Sequence, residues 1–255
     1  MSHYMVGTEL LRGLLFALAF TFIAIQGFAG NKDLCVNATL EFKKDRIIGA
    51  AYFTVKKGKD NELKERYFEK VAPIAEEYDI QSLGKFKINS TEYGPDKAEI
   101  VFFFDYPNME AKKSFEQDPR LQKLIPIRDS LLDHLKVIFL SVDQDTKVNF
   151  KDQDHTLYNL AAGWINKTHA QKLDEYFAII GPDLDARGVN FLAVFNVIGS
   201  PEQYYLEPSV MMLVEWPNSQ AKVDAFEGEA FKKAGYLRAL ALDQLYIVEV
   251  DYMDK

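Results

Sequence analysis

The chain has a single cysteine, Cys35, among 255 residues, so no internal disulfide framework can hold it together. Histidine is almost as scarce. His3, His134, His155 and His169 are the only four, and no pair shows the H-x-x-x-H or H-E-x-x-H spacing of a metal site. There is no G-x-S-x-G nucleophile elbow and no glycine-rich phosphate loop or dinucleotide fingerprint. Asp183-Leu-Asp185 and Asp143-Gln-Asp145 lack the glycine and distal glutamate that would complete a calcium loop. Positive charge is also in deficit. A formal net charge of −8 excludes the basic footprint of a nucleic-acid binder and argues against electrostatic attachment to anionic lipid.

What is present is an ordinary globular composition, 48% apolar and 27% charged. At its start Arg12 precedes an apolar run, Leu14 to Ile25, and Gly27-Phe-Ala29 follows with small residues where a signal peptidase reads. This pattern predicts a signal peptide over 1–29, a mature start near Gly30, and a periplasmic or secreted protein free of the membrane after cleavage. The rival reading is a retained anchor, for which the run is short of the 20 or so residues of a span. Residues 30–45 read as a polar lead-in.

The organising feature is a repeat. Asp105-Tyr-Pro-Asn-Met-Glu-Ala-Lys recurs as Glu215-Trp-Pro-Asn-Ser-Gln-Ala-Lys, each after an apolar run. Pro107 and Pro217 stand 110 positions apart, and the same offset pairs Arg128 with Arg238 and Asp133 with Asp243. An offset held without a gap is an internal duplication. Strands are expected at Ile47–Val55, Ile80–Ile88 (near a sheet edge, from its exposed lysines), Ala98–Phe104 and Leu135–Val142. Asn89 to Lys97 reads as a loop. Asn108 is a helix N-cap and Asp118-Pro119 starts a second helical piece. Pro73 should kink the first helix. The order is β-α-β-β-α-β over 46–143, the ferredoxin-like split βαβ. A polar linker, 144–154, leads to a second copy over 155–252. There Thr168 is expected to cap the first helix and Gly181-Pro182 to end it.

Each predicted sheet carries large apolar residues on both faces, and helices cover only one. The two bare faces must therefore meet, giving two α+β repeats packed through their sheets like a homodimer fused into one chain.

The pattern E-[FWY]-P-[NDS]-x-x-A followed by an aromatic, a leucine and an arginine resembles the dimeric α+β barrel superfamily. Within it, the chain is most similar to a family of small bacterial domains of unknown function. Glu215-Trp-Pro-Asn218, Ala221, Phe226, Phe231 and Arg238 carry the resemblance in the second repeat. Asp105-Tyr-Pro-Asn108, Ala111, Phe115, Leu121 and Arg128 carry it in the first. It covers most of residues 46–252. The superfamily holds cofactor-free monooxygenases, haem-degrading enzymes, chlorite dismutase-like haem proteins and binding modules, so membership implies a cavity before it implies a reaction.

Five residues are candidates for ligand binding: Arg128, Arg238, Tyr106, Trp216 and Trp164. Each arginine offers a planar fork of donors to a carboxylate at a cavity mouth, or else an ion pair with a neighbour such as Asp129. The three aromatics either line a pocket or plug the core. His134, ahead of the last strand of its repeat, is the one candidate for a catalytic base or haem ligand. The leading expectation is a binding module that takes a small apolar or aromatic molecule in a barrel cavity, with no cofactor. The alternatives are a monooxygenase or haem-dependent oxidoreductase using the same cavity, and a structural protein with a filled core. The chain is expected to be a monomer of two repeats or a homodimer.

Overall fold

The computed structural model describes residues 38–94, 97–150, 155–201 and 207–253. The leader and Cys35 lie outside the described residues. No helix among the described residues is long and apolar enough to cross a membrane.

The first repeat consists of β2 (Ile47–Val55), α1 (Asp60–Leu63), a π turn (Lys64–Phe68), α2 (Glu69–Glu77), β3 (Gln81–Tyr93), β4 (Ile100–Tyr106), α3 (Met109–Gln117), α4 (Pro119–Leu131) and β5 (Leu132–Ser141). The second consists of β7 (Leu157–Ile165), α5 (Gln171–Ala186), β8 (Asn190–Gly199), β9 (Val210–Trp216), α6 (Ser219–Phe226), α7 (Glu229–Ala241) and β10 (Leu242–Met253). Eight strands close into one antiparallel barrel in the order β10-β3-β4-β2-β5-β8-β9-β7. Each repeat contributes four neighbours. Two seams, β5 on β8 and β10 on β3, join the repeats reciprocally, as two subunits of a symmetric dimer would. The expected pair of ferredoxin-like repeats, fused into a dimeric α+β barrel with its helices outside, is the fold.

Local chemistry explains the repeated motif. Its proline ends the strand and its asparagine caps the next helix: Asn108 Oδ1 accepts from Ala111 N at 2.9 Å, and Asn218 Oδ1 from Ala221 N at 2.7 Å. The acid before the aromatic is buried in both copies. Asp105 is ion-paired to Arg46, Oδ2 to Nε 2.8 Å, and Glu215 accepts from Asn190 Nδ2 at 2.9 Å.

Four expectations are corrected. β3 is not left at an edge, because β10 of the other repeat supplies its missing partners. For the same reason it extends into the expected loop as far as Tyr93, which pairs with Ile247. The first helix of the second repeat does not stop at Gly181-Pro182. It loses one backbone bond at Pro182 and continues to Ala186, ending where Gly188 adopts φ +76° and Val189 N reaches back to Leu184 O. Thr168 does not cap it either; the residue before the helix is Ala170, and Asn166 Oδ1 instead accepts from Thr168 N.

The lead-in and linker are not merely polar. They hold β1 (Thr39–Phe42) and β6 (Thr146–Asn149), an antiparallel ribbon. Its alternate residues Leu40, Phe42 and Val148, with Phe150 just after, join Phe86, Phe103, Phe195 and Tyr252 in one buried cluster inside the barrel. Phe42 meets Phe195 edge-on at 5.0 Å, and Phe150 stacks on Tyr252 at 4.7 Å. Such pairs add about 0.5–1.5 kcal/mol each beyond their buried area. Among the described residues the barrel interior is therefore a packed aromatic core.

Candidate functional site

The cavity lies outside the barrel wall, between the sheet of the second repeat and α5 and α7. It has a volume of about 110 Å³. Asn159, Ala161 and Gly163 of β7 and Met212 and Val214 of β9 form its floor, because strand alternation turns these residues away from the barrel interior. Tyr176, Phe177, Phe226 and Phe231 roof it, with Trp216 at the strand end and Arg238 from α7.

The repeat shows why the cavity exists. Strand pairing matches residue for residue between the copies: Ile47 pairs with Tyr106 as Leu157 pairs with Trp216. At the first-repeat positions equivalent to Gly163, Met212 and Val214 stand Phe53, Phe102 and Phe104. Phe102 and Phe104 stack at 5.7 Å, and Phe104 lies so close over Gly49 that a methyl group there would overlap its ring. Three phenylalanines fill in the first repeat the volume that smaller side chains leave open in the second.

The polar groups are few and placed. Tyr176 is buried, and burial pushes its phenol above the ordinary tyrosine range while the adjacent Arg238 guanidinium pulls the other way. The Arg238 guanidinium also lies over the ring of Tyr93, 5.5 Å from its centre. Asn159 donates from Nδ2 to Val248 O at 3.1 Å and to Glu92 Oε1 at 3.3 Å. Glu92 in turn is ion-paired to Lys222, which also holds Glu249 Oε2 at 2.9 Å. Glu92 and Tyr93 belong to the first repeat and reach the second repeat's site across the β3–β10 seam.

Of the residues singled out in sequence, Arg238 and Trp216 come together at this cavity. Arg128 and Tyr106 occupy the equivalent, filled place. Arg128 pairs with Asp129 at 2.8 Å and lies over Tyr67, 5.7 Å from its centre, while Tyr106 is buried against Phe115 and Phe139. Trp164 packs toward the barrel interior, on the face of β7 opposite Gly163. His134 lies on β5 across from Thr54, in the other repeat, and takes no part in the cavity wall. Asn159, Tyr176, Glu92 and Tyr93 were missed. A signal for Tyr176 exists: Tyr67-Phe-x₄-Pro73 recurs as Tyr176-Phe-x₄-Pro182, shifted by one residue from the main offset. Each tyrosine meets the arginine of its own repeat.

Haem does not fit this cavity. No histidine lines it, and its volume is below the roughly 300 Å³ at which sites for drug-sized ligands begin, a class that a porphyrin exceeds. Among the described residues no group of His, Cys, Asp and Glu is arranged to hold a metal ion.

No family model matches the chain, and no curated protein matches it in sequence. Solved structures share its fold. An anthrone oxidase-like protein superposes with a TM-score of 0.51 at 15% identity, over 83% of this chain and 92% of that one. A variant chlorite dismutase from Candidatus Nitrospira defluvii gives 0.49 at 10% identity, over 82% and 92%. The fold of this chain is that of the anthrone oxidase-like protein, a dimeric α+β barrel.

Proposed function

We propose that this is an exported binding protein that holds one small apolar or aromatic molecule in the cavity of its second repeat. The observation that carries the reading is the replacement of Phe53, Phe102 and Phe104 by Gly163, Met212 and Val214. An unfilled cavity weakens its own fold, by roughly 24 cal/mol for each Å³ left open in core-truncation series. A void kept open in one copy and packed in the other is accounted for by an occupant. The volume suits a single ring, since an engineered apolar cavity of about 150 Å³ takes benzene.

Trp216 supplies the assay, being one of only two tryptophans. In a Trp164→Phe background, titration with single-ring aromatics should change Trp216 fluorescence saturably. Met212→Phe, which copies Phe102, should abolish the response while leaving the protein folded. An unchanged response in that variant would place binding elsewhere and sink the reading. Export is tested by the mass of the protein recovered outside the cytoplasm, expected to begin near Gly30.

A second reading, oxidation of the held molecule by dioxygen without a cofactor, is favoured by the fold shared with the anthrone oxidase-like protein. It requires dioxygen uptake on adding a hydroxylated aromatic, and zero uptake leaves binding alone.

A further inference from the structure

Asn159 sits on the cavity floor with 3% of its surface exposed. Its Nδ2 group is committed twice, to the Val248 carbonyl and to the Glu92 carboxylate. Neither partner can donate, because one is a backbone carbonyl and the other an acid ion-paired to Lys222. The amide is thereby fixed in one orientation, with Oδ1 as the group left over. That oxygen accepts from no group among the described residues. It is left able to accept from an incoming donor. Packing alone does not call for it here, since the first repeat has Gly49 at this position under the Phe104 ring.

From this geometry we infer that the ligand carries a hydrogen-bond donor: the cavity selects a hydroxylated single-ring aromatic over its non-donating isosteres, with Asn159 Oδ1 accepting from the hydroxyl. The inference rests on the cavity reading above and adds the class of molecule. Glu92 is then a positioning residue. It comes from the other repeat and aims the amide without touching the ligand.

The test compares phenol with fluorobenzene, nearly equal in size, by calorimetric titration of the unaltered protein at pH 7. The ratio of their association constants should exceed the ratio of their cyclohexane–water partition coefficients by about tenfold, the worth of one buried hydrogen bond. In Asn159→Leu, phenol affinity should fall about tenfold while fluorobenzene changes by less than about threefold. If fluorobenzene binds and the two ratios agree, the donor requirement is overturned and the cavity reading stands. If neither compound binds, the cavity reading fails as well. Should Asn159→Leu not fold, the comparison in the unaltered protein decides alone.

Discussion

At the scale of single residues, the acidic N-cap Asp118 links the fold to pH. Its carboxylate accepts from Arg120 Nη2 at 2.8 Å and from the backbone N of Arg120 at 2.7 Å, which hold its pKa well below the ordinary carboxylate range. A folded pKa below the unfolded value of about 3.9 gives stability that is full above that pH and is lost as pH falls through the folded value. Urea midpoints measured from pH 5 to pH 2 should therefore fall more steeply for the native chain than for Asp118→Asn; parallel curves would contradict this. Asp105 behaves in the opposite sense. Burial raises its pKa against the pull of Arg46, so its ionised form is held at a cost. Arg46 keeps Asp79 as a second partner, at 2.8 Å, so Asp105→Ala should destabilise by about 1–2 kcal/mol in equilibrium unfolding.

At the scale of elements, the helices were legible where their signals are local. Asn108 and Asn218 cap because a short side-chain oxygen three residues ahead of a free N–H needs nothing from the rest of the fold. Alanine at either should cost about 1 kcal/mol by urea denaturation, and the two effects should add because the sites are independent. The ribbon β1–β6 was read as polar because its apolar positions alternate within charged stretches, and each strand has only four residues. The cavity was illegible for another reason. It depends on which side chain lies opposite which gap, and Glu92 and Tyr93 reach it from the other repeat over a seam that no local pattern marks. Converting Phe102 and Phe104 to Met and Val should open the matching void in the first repeat and cost about 3 kcal/mol, read from the unfolding midpoint.

At the scale of the whole molecule, stability is shared across two seams. The repeat containing residues 46–143, produced alone, would bare the β3 and β5 edges and the apolar residues that β8 and β10 cover. It should not persist as a folded monomer, and sedimentation should find it associated or unfolded. The intact chain should melt in a single transition, because neither half of the barrel closes without the other.

The reciprocal seams also bear on number. A barrel made from two identical subunits must present its sites in pairs, and every substitution in one is repeated in the other. Joining the copies in one polypeptide removes that obligation. One helix-covered sheet face has hardened into packed phenylalanine, while the other stays open and borrows a carboxylate and a phenol ring from its neighbour. Symmetry of backbone here coexists with asymmetry of packing, and the binding proposal therefore calls for one molecule per chain at saturation rather than two.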